Sequence, residues 1–202
     1  VGDFLVEHPA VRMITFTGSA EVGLRIRARA GMKRVTLELG NNSALLVEAD
    51  ADLADCAARS VPGAFSHSGQ VCISVQRIFV HQAVADEFVE RFLAAAAALR
   101  RGHPLDETTE ISSLITEAEA RRVEEWVTEA RAVGARLRTG GERSAASMAP
   151  TVLTEVPEGE RVFRHEAFGP VAAINRYSEL DDAIARVNAS DYGLQAGIFT
   201  RD

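Results

Sequence analysis

The chain has 202 residues, 47% hydrophobic and 25% charged, enough for one large domain or one domain with a piece of another. A net charge of −7, with no basic stripe interleaved with aromatics, argues against nucleic-acid binding. No run approaches the roughly 18 apolar residues of a membrane span, no signal-peptide pattern appears, and two cysteines are too few for a disulfide scaffold, so a cytoplasmic protein is expected.

The apolar pattern switches repeatedly between strand and helix periods. Residues 11–16 read as a short buried strand that runs into Thr17-Gly18-Ser19 and a helix over 20–30, with Val22, Ile26 and Ala30 on one face. Residues 34–39 and 43–47 read as strands, and Asp52 as the cap of a helix carrying Leu53, Cys56, Ala57 and Val61. A β-branched strand over 76–81 and a long helix over 83–100 follow. Thr116 and Glu119 make a capping-box pattern that opens a helix reaching Val133. Gly134, Gly140 and Gly141 mark turns around a short strand, and the small, polar stretch 142–150 reads as a flexible surface loop. A strand over 171–177, a helix through Leu180, Ile184 and Val187 capped by Ser178, and a strand over 196–200 complete the chain. Strands alternating with helices predict an α/β fold with a largely parallel sheet and flanking helices.

Three places carry residue types suited to chemistry. Gly18-Ser19-Ala20-Glu21-Val22-Gly23 joins a strand to a helix, an arrangement that can hold a phosphate on free backbone N–H groups. Its spacing is neither G-x-G-x-x-G nor a P-loop, so by itself an ordinary strand-to-helix turn explains it better. Glu38 closes an apolar strand ahead of Gly40, where carboxylates face ligand crevices in open α/β sheets; partial burial would raise its pKa towards that of a general base, and an exposed edge glutamate explains the spacing equally well. Cys72 lies in Gly69-Gln70-Val71-Cys72, in a turn between a helix and a strand, where a thiolate can be stabilised. Cys56, among Leu53, Ala57 and Ser60 inside a helix, reads as inert core. The five histidines show no metal-ligand spacing, so no metal is expected; His67 and His165 leave open a Cys–His hydrolase.

Five segments together resemble the aldehyde dehydrogenase superfamily: Ile14-Thr15-Phe16-Thr17-Gly18-Ser19, Val35-Thr36-Leu37-Glu38-Leu39-Gly40, Gly69-Gln70-Val71-Cys72, Glu166-Ala167-Phe168-Gly169-Pro170-Val171 and Asn188-Ala189-Ser190-Asp191-Tyr192-Gly193-Leu194. They occur in the family's order and spacing. The resemblance implies that residues 1–39 are the C-terminal part of a Rossmann-like cofactor-binding domain and 40–202 a catalytic domain incomplete at its C-terminal end. It implies Cys72 as nucleophile and Glu38 as the base for deacylation. It places Gly18 and Ser19 at the pyrophosphate of NAD or NADP, the Leu39 main chain near the carboxamide, Glu166 at the nicotinamide ribose, which removes it as a candidate catalyst, and Phe168 at the nicotinamide end. An aldehyde substrate and a homodimeric or homotetrameric parent enzyme are implied as well.

Asn41 stands where the family usually has a second glycine; if that position needs a positive φ, asparagine is the most tolerable replacement. Ala167 replaces a bulkier aliphatic residue. The chain starts at Val1, not methionine, and lacks the family's upstream half and downstream end, so a fragment, inactive alone, is expected. Cys72-Ile73-Ser74-Val75-Gln76-Arg77 and Asn41-Asn42-Ser43 are most similar to the lactaldehyde and phosphonoacetaldehyde dehydrogenase branch, which implies small, oxygenated or anionic aldehydes. The alternative from another class is a non-catalytic binding or assembly remnant.

Overall fold

A computed structural model describes residues 2–202, and the chain divides into two compact units, Val1–Gly40 and Asn41–Asp202. In the first, helix α1 (Gly2–Glu7) precedes strand β1 (Met13–Thr17), helix α2 (Ala20–Arg29) and strand β2 (Arg34–Glu38). The two strands are parallel, from Met13 opposite Arg34 to Thr17 opposite Glu38. Ser19 caps α2: its Oγ accepts from the Val22 N–H at 3.4 Å, leaving other N–H groups of the first turn without intrahelical partners. Ile26 and Ala30 pack with Val6 as a small core.

The second unit opens with strand β3 (Ser43–Val47), helix α3 (Leu53–Phe65), strand β4 (Val75–His81) and helix α4 (Ala85–Ala97). Helix α5 (Glu117–Ala132), strand β5 (Arg136–Thr139), the small hairpin β6 (Arg143–Ser144) and β7 (Ser147–Met148), and strand β8 (Thr151–Thr154) follow. Helix α6 (Arg161–Arg164), strand β9 (Val171–Tyr177), helix α7 (Leu180–Asn188) and strand β10 (Ala196–Phe199) end the unit. Six strands form one sheet in the order β10-β3-β4-β9-β8-β5. Every pairing is parallel except β5 with β8, so the predicted α/β class and the largely parallel sheet are observed. Two apolar cores fill the unit, one around Phe79, Trp126 and Leu153, the other around Phe65, Ile78, Phe88 and Phe92.

Caps chosen from local chemistry largely hold. Asp52 Oδ1 accepts from the Ala54 and Asp55 N–H groups, and Thr116 Oγ1 from Glu119. Ser178 does not cap: α7 starts at Leu180, its N-cap is Glu179, and no side chain bonds there. The segment 142–150 is not a free loop. It contains β6 and β7, Met148 is fully buried, and Arg143 pairs with Glu124 at 2.7 Å and with Glu117 at 3.3 Å on α5. Strand β8, interior to the sheet, had no counterpart among the predicted elements, since four residues are too few to show a period.

Candidate active site

Cys72 follows an abrupt change of backbone hand. After α3 a 3-10 turn over Ser66–Gly69 holds His67 (φ 52°), Ser68 (φ 59°) and Gly69 (φ 72°) in left-handed conformations. Such a run of L-residues persists only where its neighbours fix it. Ser68 Oγ donates to the Ser112 carbonyl at 3.1 Å and accepts from the Ser112 N–H at 3.0 Å. Gln70 Oε1 accepts from the Ile115 N–H at 2.9 Å. Val71-Cys72-Ile73-Ser74 then closes a turn through Ser74 N–H to Val71 O at 2.9 Å, and Ser74 Oγ donates to Ala64 O. Cys72 is thereby set half-buried on a short turn between rigid elements. A groove of about 540 Å³ is lined by the neighbours of Cys72, Val71 and Ile73, together with Leu45, Pro62, Arg59 and His67; Cys72 itself does not line it. Cys56 is fully buried and burial pushes its thiol up to about 11, the inert cysteine the sequence suggested.

The segment carrying Glu166 and Phe168 is joined to the cysteine turn in two ways. Gly69 touches the Gly169–Pro170 backbone so closely that a Cβ would overlap the Gly169 carbonyl. Beyond the turn, Gln76 at the start of β4 donates from Nε2 to Val162 O and His165 O and accepts at Oε1 from the Ala167 N–H, each at 2.7 Å. One of these bonds, with a second from Asn42, answers the problem of a helix end, whose last carbonyls have no intrahelical partner. Gln76 takes Val162 O, and Asn42 Nδ2 takes Phe163 O at 2.6 Å, so two side chains cap α6. Arg77 does the same for α7, donating to Arg186 O and Val187 O while also holding Asn42 O.

Glu166 itself is half-buried. Its Oε1 accepts from the Asn41 N–H at 2.9 Å, and its own N–H reaches Tyr192 Oη at 3.4 Å. Burial raises its carboxyl above the ordinary range, opposed by the Asn41 N–H and by the Arg122 guanidinium. Its Oε2 has no partner among the described residues, so one carboxylate oxygen is fixed and the other is available to a hydroxyl donor. Phe168 is exposed, at φ 46°. Asn41 is not left-handed; its side chain donates to Ser43 Oγ and accepts from the Leu194 N–H, and with its N–H on Glu166 it links two of the recognised segments. Asparagine therefore stands at this position for its hydrogen bonds and not for a positive φ. The sequence marks Gln76 only as the head of a strand and a member of the run Cys72–Arg77; an uncharged polar side chain heading an apolar strand was the available signal.

The remaining site candidates lie in the first unit. The Gly18 N–H donates to Glu38 O at 3.0 Å, and the Leu39 side chain packs against Gly23 of α2. Glu38 is exposed at the end of β2, so its own unit does not provide the expected partial burial. His67 and His165 are both exposed, the latter 6.0 Å from the Trp126 ring, and neither bonds to Cys72 among the described residues. No cluster of metal-binding side chains occurs among the described residues, and none of their helices is long and apolar enough to cross a membrane.

The profile of the aldehyde dehydrogenase family matches residues 1–202. The chain is 50% identical over its whole length to a 3-sulfolactaldehyde dehydrogenase of Priestia aryabhattai, of which it covers 42%, and 40% identical to a lactaldehyde dehydrogenase of Methanococcus aeolicus, of which it covers 43%. It thus spans less than half the length of these curated relatives. Among solved structures, a glyceraldehyde-3-phosphate dehydrogenase of Methanocaldococcus jannaschii complexed with NADP superposes on the whole chain with a TM-score of 0.96 and 41% identity, the chain covering 44% of it. A match over all 202 residues, a shared fold and identities of 40–50% agree with the order of the five segments: the chain belongs to the aldehyde dehydrogenase family.

Proposed function

We propose that this chain carries the nucleophile and part of the nicotinamide site of an NAD(P)-dependent enzyme that oxidises a small, oxygenated or anionic aldehyde to its carboxylic acid. The carrying observation is the attachment of the Cys72 turn to the Glu166 loop through Gly69 and Gln76. The residues fit the cofactor. Glu166 offers a free, half-buried carboxylate oxygen to ribose hydroxyls. The start of α2, after Gly18 and Ser19, offers N–H groups to a pyrophosphate. Phe168 would lie at the nicotinamide end and the Leu39 main chain near its carboxamide.

In this scheme the Cys72 thiolate attacks the aldehyde carbon. A C–S bond forms, and the carbonyl π pair moves to oxygen, where the Cys72 N–H donates to it. Bound NAD or NADP supplies the hydride acceptor. With hydride gone from the carbon, Cys72 holds a thioester. Glu38 takes a proton from the water that adds to it, and collapse releases the acid and the thiolate. The relatives named for lactaldehyde and 3-sulfolactaldehyde support substrates of that class. The same proposal has the 202 residues inactive alone, since the relatives are more than twice as long, and the whole protein a cytoplasmic homodimer or homotetramer.

The test is aldehyde-dependent NAD(P)H formation by the protein expressed at the length of its relatives. Cys72→Ala should abolish it and Cys56→Ala should leave most of it. Turnover that survives Cys72→Ala would overturn the scheme. Failure to bind nicotinamide at all would favour a binding or assembly remnant.

A further inference from the structure

We infer that Gln76 is a positioning residue that sets Glu166 for the cofactor and holds it in register with Cys72; this rests on the proposed role of Glu166 at the nicotinamide ribose. Gln76 is 4% exposed. Its amide makes three 2.7 Å bonds, and two carbonyls at one end with an N–H at the other fix which end is nitrogen. The His165 carbonyl and the Ala167 N–H are the backbone groups on either side of Glu166, so the clamp closes around that residue. Val162 O, the third partner, fixes the end of α6 from which the loop departs.

The direction of the strand gives the clamp its consequence. Gln76 lies four residues beyond Cys72, on the strand into which the cysteine turn leads. A displacement of β4 would move the nucleophile and the loop together. The other ties on the loop complete the support: Arg122 donates to Ala167 O at 2.7 Å and Asn41 N–H to the Glu166 carboxylate at 2.9 Å. These two come from α5 and from the chain before β3, and neither lies on the strand that the cysteine turn enters. Of these three side-chain and backbone donors, Gln76 is the one on the strand that directly follows the Cys72 turn.

The experiment uses the protein at the length of its relatives, with Gln76→Leu, Glu166→Gln and the double variant. Each is characterised by KM for NAD(P), KM for aldehyde, kcat and the rate of Cys72 alkylation without cofactor. Misdirecting one carboxylate from a ribose hydroxyl should raise KM for NAD(P) about tenfold, in line with the loss of one charge-assisted hydrogen bond. KM for aldehyde and the alkylation rate should stay within about twofold, well inside the change expected from losing a hydrogen bond. Because Gln76 acts through Glu166, the double variant should be no worse than Glu166→Gln alone. Additive losses, or a lower kcat with all KM values unchanged, would reduce Gln76 to a structural residue and overturn the inference. If Glu166→Gln raises KM for NAD(P) and Gln76→Leu does not, the inference fails and the role of Glu166 stands. If Glu166→Gln leaves it unchanged, the role of Glu166 fails and the inference with it. Should Gln76→Leu not fold, Gln76→Glu, which keeps the acceptor for Ala167 and loses both donors, enters the same cycle.

Discussion

Replacing Gly69 by alanine tests whether the cysteine turn and the Glu166 loop are locked by contact. Two effects combine at this site. Gly69 has φ 72°, a conformation that costs an L-residue about 1–2 kcal/mol. Its added Cβ would also overlap the Gly169 carbonyl and come within 3.0 Å of Pro170 N, and backbone cannot yield as a flexible side chain can. The two loops would have to separate, straining the paired Ser68–Ser112 bonds and the Gln70–Ile115 bond. With net values of about 0.5–1.5 kcal/mol for each of the three bonds, the total destabilisation is about 2.5–6.5 kcal/mol. For a unit of this size that is a fall in Tm of roughly 5–26 °C.

Gly134→Ala is the internal control. Gly134, in the same unit, has φ 116° and no atom within 4 Å of an added Cβ, so its substitution reports conformational strain without collision. Thermal unfolding of the two variants by circular dichroism separates the terms, and the excess for Gly69→Ala measures the contact. A Tm for Gly69→Ala within about 2 °C of Gly134→Ala, less than about 1 kcal/mol of difference, would refute the idea that these loops are locked.

Three further outcomes follow from single side chains. Iodoacetamide on the native chain should label Cys72 and spare Cys56, whose thiol is buried and held near 11; peptide mass spectrometry showing native labelling at Cys56 would contradict this. Asn41→Ala should cost about 1–3 kcal/mol in denaturant titrations by orphaning Ser43 and the Leu194 N–H, and Asn41→Gly should be no more stable than Asn41→Ala, because the position is not left-handed. Burial holds the folded-state pKa of Glu166 above its unfolded value, so the stability this group confers is greatest when it is protonated and falls as pH rises through the folded pKa. Glu166→Gln should therefore gain in Tm over the parent at pH 8, with the gain shrinking towards pH 4; a difference constant across that range would exclude the mechanism.

What the sequence made legible was local. Asp52 and Thr116 cap helices because the groups they satisfy lie two or three residues away. The strand–helix alternation likewise needs only a short window of chain. The segment 142–150 failed that way of reading, since its small polar residues suggest freedom while Arg143 is held by carboxylates 19 and 26 positions upstream. The clamp at Gln76 was hidden for the same reason, its partners being 86 to 91 positions away. Recognition of the five segments named Cys72 and Glu166 as site candidates, but it could not show which neutral side chains hold them.

The unusual backbone of the candidate site is concentrated where those long-range bonds converge. His67, Ser68 and Phe168 are three non-glycine residues in left-handed conformations, about 3–6 kcal/mol of strain at the usual value for each. Facing it are the Ser68–Ser112 pair, the Gln70–Ile115 bond and the three bonds of Gln76, about 3–9 kcal/mol at ordinary net values. The two sums are of the same order, so the strained loops persist because distant strands and helices fix them, and few of those bonds can be spared. A turn held in this way resists relaxation when a ligand is absent. Under the proposed function, Cys72 and Glu166 would then keep their placement before substrate arrives, the condition for orientation to contribute to a rate.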